Sequence, residues 1–220
     1  MAFGTLFVLA LIDATSLGTL TLPLWMMLSP RIRPQAIVTY LLTIGAFYWV
    51  FGCILFFGAY AAFARISGWS GLIWIQLIAG AGLLLLGVLP TRIWDRQMTI
   101  LNRFQQRAAM GSSLRPVIIL ALVAGVIEAA SMVPYLAAIG IMITADLPGP
   151  LTLAVYCLIM ITPALILLGL RLAAGRGLEA PLSWLQRTLT KYAGATAATV
   201  VFIIGLLLAG SALMELRIIV

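Results

Sequence analysis

Six apolar runs, at residues 2–28, 36–64, 71–90, 116–144, 151–171 and 193–215, constrain this chain more than anything else in it. A bilayer core about 30 Å thick is crossed by roughly 20 helical residues, so every run is long enough to span. An open sheet in lipid leaves backbone N–H and C=O groups without partners, which makes helices the only form these runs can take. Composition agrees: 64% of the 220 residues are hydrophobic and 9% charged, against about 45–50% and about 25% in soluble domains. The expected fold is all-α, a polytopic membrane protein of six transmembrane helices forming one membrane domain over residues 1–220.

The absence of histidine excludes a Ser-His-Asp triad, a histidine-ligated haem and a histidine-containing zinc site. With only Cys53 and Cys157, neither a thiolate cluster nor a disulfide framework is expected, and both cysteines read as small packing residues within spans. No cofactor, no metal and no enzymatic activity are expected. The start lacks a basic segment and Asp13 interrupts its apolar run, so residue 1 is read as part of the mature chain.

The net charge of +7 belongs to loops rather than to a nucleic-acid surface. Connections after spans one, three and five carry Arg31, Arg33, Arg92, Arg96, Arg103, Arg107, Arg115, Arg176, Arg187 and Lys191, whereas the opposite side has Arg65 and Arg217. By the positive-inside rule, both termini lie outside the cytoplasm of a bacterial inner membrane. Within 91–115, Arg92, Arg96, Arg103 and Arg107 fall in a sector about 60° wide at 100° per residue, opposite Trp94, Met98, Leu101 and Phe104. This pattern predicts an amphipathic interfacial helix whose arginines face lipid headgroups. Segment 178–192 is a weaker copy, starting at Pro181 with Leu182, Leu185 and Leu189 on one side.

The two halves echo each other. Ile12-Asp13-Ala14-Thr15-Ser16 in span one matches Ile127-Glu128-Ala129-Ala130-Ser131 in span four, 115 residues later. Three spans separate the copies, so the second runs the opposite way: two inverted three-helix repeats, about 1–90 and 116–220, joined by the interfacial connection 91–115. Asp13 lies roughly 16 Å into its span at 1.5 Å per residue, and Glu128 reaches a similar depth from the other side. A charge there costs several kcal/mol, so the neutral acid is the cheaper form and a proton is the expected coupling species. Asp13, Ser16, Glu128 and Ser131 are the candidate substrate or proton site. Gly18, Pro23, Pro134 and Pro163 are candidate helix breaks or gates. Thr39, Tyr40, Thr43 and Tyr48 give span two a partly polar character, and the small-xxx-small pair Gly58 and Ala62 marks close packing that permits a homodimer.

The segments Leu11-Ile12-Asp13-Ala14-Thr15-Ser16-Leu17-Gly18-Thr19-Leu20 and Leu24-Trp25-Met26-Met27-Leu28-Ser29-Pro30-Arg31 resemble the Gap/Sap-like proteins of actinobacteria, the glycopeptidolipid- and sulfolipid-addressing branch of the LysE transporter superfamily. The likeness extends to length, span count, two-half organisation and the long basic connection after span three. This chain has Ser16-Leu17-Gly18 where the family pattern often has Asn-Pro. The resemblance implies export of cell-envelope lipids or glycolipids across the inner membrane, with membrane lipids, anionic or glycosylated, and envelope-lipid synthesis or export proteins as partners. Two alternatives stand beside it: an exporter of a small cationic solute held by the two carboxylates, and a non-transporting scaffold for envelope-lipid assembly. The superfamily branch that carries electrons on a cysteine pair is excluded, because carboxylates and serines occupy the regions where it needs cysteines.

Overall fold

A computed structural model describes residues 2–29, 32–66, 101, 103–106, 113–129 and 132–189. Among them every regular element is helical. Helix α1 covers Ala2–Ala14 and is followed by a π-helical turn, Leu17–Thr21, that leads into α2, Leu22–Leu28. Helix α3 runs over Pro34–Ile66, α4 over Arg115–Ala129, α5 over Val133–Thr144 and α6 over Gly149–Ala174. A 3₁₀ turn, Gly175–Leu178, then passes into a helix over 179–189.

Among the described residues two unbroken helices have the length and apolarity to cross a membrane, and two bent pairs, each taken as one span, bring the candidates up to four. The remaining expected spans, 71–90 and 193–215, lie outside the described residues. Apolar side chains are found on both sides of these helices. Leu24, Leu41 and Met142 are enclosed, while Phe3, Ile54, Val126 and Leu151 stay largely exposed. A soluble protein would hide such residues, whereas a membrane protein turns them to the acyl chains, because lipid is as apolar as they are.

The expected first and fourth spans are not straight. The α1 axis turns by 61° into the following segment, and α4 meets α5 at 74°. Both bends come immediately after an acid: Asp13 is the penultimate residue of α1 and Glu128 the penultimate residue of α4. Pro23 and Pro134 sit in the first turns of α2 and α5, where a proline lacks no hydrogen bond that the helix needs. They therefore start the second half-helices rather than break the first ones. The break expected at Pro163 is a correction: α6 continues through it from Gly149 to Ala174. One missing donor leaves the rest of the ladder intact, and no water competes for the freed carbonyl in a membrane.

Each broken helix packs on the long helix of the other half of the sequence: α1 lies along α6 and α4 along α3. Glycines allow the close approaches, with Gly125 against the Phe47 ring, Gly149 against Phe56 and Gly52 against the Tyr135 hydroxyl. Gly58, expected at a close contact, has no described residue within 4 Å of where a Cβ would stand.

Candidate functional site

The first break carries the chemistry. Where α1 stops, the carbonyls of its last turn lose their intrahelical donors, and local hydroxyls replace them. Thr15 Oγ1 donates to the Ile12 carbonyl at 2.7 Å, and Thr19 Oγ1 faces the carbonyls of Asp13 and Ala14 at 3.0 Å each. The amides that begin the next helix are also freed. Ser16 is its N-cap and its hydroxyl accepts from Thr19 N at 3.4 Å. The Gly18 amide has no local acceptor and instead donates to Glu128 Oε1 at 3.0 Å, 110 residues away in sequence.

Glu128 thus caps in trans the helix that restarts after Ser16. A carboxylate suits that place, since the first amides of a helix form a positive pole. Its second oxygen accepts from the Tyr48 hydroxyl at 2.6 Å, and the Ser16 hydroxyl and Leu17 amide lie close by. The Tyr40 hydroxyl donates to the Gly18 carbonyl at 2.8 Å, so both polar groups of Gly18 are held by other elements. Glycine is required here for close approach: a Cβ at position 18 would overlap the Glu128 carboxylate.

Asp13 has a lighter setting. It is half-buried, and Oδ2 accepts from the Tyr156 hydroxyl at 2.5 Å. Asp13 and Glu128 lie within electrostatic range of one another. The hydrogen bonds cross between halves: the α1 acid pairs with a tyrosine of α6, and the α4 acid with a tyrosine of α3. Tyr135 links the two systems. Its hydroxyl donates to the Tyr48 carbonyl at 2.8 Å, and its ring meets Tyr48 and Tyr156 edge-on at 5.7 and 5.4 Å.

The structure brings Asp13, Ser16, Gly18 and Glu128 to one place, with Tyr40 and Tyr48 from α3. Ser16 is a cap at the break rather than a residue on the α1 face, because α1 has already ended at Ala14. Thr39 and Thr43 donate to carbonyls of their own helix and are not part of this network. Ser131, the counterpart of Ser16, lies outside the described residues, as do Arg92, Arg96 and Arg107. Of the interfacial stretch, Arg103 is exposed, Leu101 is buried, and Phe104 packs on the core. Leu182, Leu185 and Leu189 also turn toward the core from the helix over 179–189. Cys53 and Cys157 are free thiols, Cys53 half-buried against the core and Cys157 buried beside the Tyr135 hydroxyl.

Sequence reasoning did not single out Thr19, Tyr135 or Tyr156. A signal existed for the tyrosines, since a phenol in an apolar span needs a hydrogen-bond partner. Which partner it takes depends on helix packing. No curated protein and no solved structure matches the chain at a significant level. A family model, Sap, sulfolipid-1-addressing protein, matches residues 6–214, nearly the whole chain and both helix breaks. The likeness carried by the residues around Asp13 is therefore one of descent, and the chain belongs to the sulfolipid-1-addressing protein family.

Proposed function

We propose that the chain exports cell-envelope lipids or glycolipids across the bacterial inner membrane, with proton movement linked to Asp13 and Glu128. The observation that carries this reading is the exchange between halves: an acid ends each first half-helix and accepts from a tyrosine on the other half's long helix. Register supports an inverted repeat. The two first half-helices end at Ala14 and Ala129, and the two long helices begin at Pro34 and Gly149, both pairs 115 residues apart. Broken helices that meet near the membrane midplane are the usual binding elements of inverted-repeat carriers.

The family's name supports an envelope lipid as cargo. A lipid would approach from the side, along apolar surfaces such as those of Ile54 and Val126, while exposed Arg103 and its neighbouring arginines gather anionic headgroups at the cytoplasmic interface. Adding a proton to either acid changes the hydrogen bond that ties one half to the other. That change is the step by which a proton would bias one arrangement of the halves over another.

The test is surface display of envelope lipid in cells whose only copy carries Asp13→Asn with Glu128→Gln. Loss of surface lipid at normal protein abundance is expected. Normal display would overturn the coupling, and accumulation of a small cationic solute inside the cells would favour the solute exporter instead.

A further inference from the structure

The two acids are equivalent in the sequence repeat but not in their surroundings. Glu128 is buried and its carboxylate receives the Gly18 amide and the Tyr48 hydroxyl, both from enclosed residues. Gly18 is itself pinned from the other side by Tyr40. To release Glu128, the chain must uncap the helix that restarts after Ser16 and leave a backbone amide without an acceptor in a medium that offers none. Asp13 is half-buried and, among the described residues, its carboxyl accepts from one hydroxyl, that of Tyr156, whose displacement uncaps no helix and leaves no backbone amide without an acceptor. The Asp13 carbonyl, by contrast, is held by Thr19, so the backbone at Asp13 stays in place while its carboxyl is free to change partner.

We infer that the acids divide the work: Glu128 is a positioning residue that keeps the first break formed, and exchange of a proton or of a hydrogen-bond donor on the cargo takes place at Asp13, by displacement of Tyr156. This deepens the proposed transport reading and rests on it. Its chemistry also selects the kind of group that would reach this depth. A hydroxyl or an ammonium can replace the Tyr156 hydroxyl on Asp13, whereas an anionic group would face a carboxyl oxygen.

Wild-type protein in lipid nanodiscs, treated with dicyclohexylcarbodiimide and digested for peptide mass spectrometry, tests the division without any transport assay. Asp13 should be modified at least about ten-fold faster than Glu128, because Glu128 must open two or more hydrogen bonds before it reacts, and each lowers its reactive population several-fold. Tyr156→Phe should speed Asp13 modification further. Modification of Glu128 at an equal or greater rate, or of neither acid, would overturn the inference. In cells, Asp13→Asn should flatten the pH dependence of export, whereas Glu128→Gln should lower the rate but keep the shape of the pH profile. The reverse pattern would likewise overturn it. Asymmetric labelling with normal export by the doubly substituted protein would leave the division standing and remove the transport reading alone.

Discussion

Gly18→Ala is the most informative single change, because its cost can be worked from the contacts around one atom. The new Cβ would overlap Glu128 Oε2 and come within 2.9 Å of Ile44 Cδ1. Ile44 is buried but its terminal carbon ends a flexible chain, so the strain falls mainly on the carboxylate. Moving Glu128 away breaks the 3.0 Å bond from Gly18 N and disturbs the 2.6 Å bond from Tyr48. A hydrogen bond contributes about 0.5–1.5 kcal/mol to a neutral acid and about 1.5–3 kcal/mol to a charged one, and overpacking a core costs about 1–3 kcal/mol. Reduced freedom of the unfolded chain returns about 0.4–1 kcal/mol when glycine becomes alanine. The net loss is about 3 kcal/mol, or roughly 6–12 °C in melting temperature for a chain of this length. The assay is thermal unfolding in a fixed detergent, with Gly58→Ala as control, since among the described residues nothing stands where that Cβ would go. A double-mutant cycle with Glu128→Ala should show coupling, because removing the carboxylate removes the obstacle. A Gly18→Ala melting temperature equal to that of wild type, or additive costs in the cycle, would refute the trans-capping account.

Three further outcomes follow from the same contacts. Tyr48→Phe removes the donor to Glu128 Oε2 and should destabilise by about 0.5–3 kcal/mol, read by the same melting assay. Gly52→Ala drives a methyl into the Tyr135 hydroxyl and should cost about 1–3 kcal/mol; adding Tyr135→Phe, which deletes the obstructing oxygen, should recover much of it. Pro163→Ala should leave stability equal or raise it by up to about 3 kcal/mol, because α6 is already helical there and regains a donor. A loss of more than about 1 kcal/mol on that change would show that the proline is needed.

How much of this was legible without coordinates varied with the kind of signal. Hydrocarbon length is a local property, so the limits of α3 and α6 were readable from runs 36–64 and 151–171 to within a few residues. The echo of Ile12-Asp13-Ala14 in Ile127-Glu128-Ala129 pointed to two matched places in the chain, and the structure puts a helix end at each. The position of the first break was less readable. Gly18 and Pro23 looked like its cause, yet the turn begins at Thr15, where serine and threonine hydroxyls can replace the carbonyl partners that the helix gives up. Pro163 misled for the opposite reason: a proline marks a local preference, and packing along one continuous helix overrides it.

The sequence by itself determined that the chain is a helical membrane protein, that it carries two acids inside matched apolar runs, and that it belongs with the sulfolipid-1-addressing proteins; these follow from composition, run length and residue identity, all of them properties of contiguous segments. Only the tertiary structure decided which groups those acids meet. Glu128 reaches Gly18 across 110 residues and Asp13 reaches Tyr156 across 143. No periodicity records such a pairing, since it arises from how α4 seats against α3 and the first break, and α1 against α6. The same packing makes two acids that look alike in sequence unlike in surroundings, one capping a helix and the other accepting from a phenol.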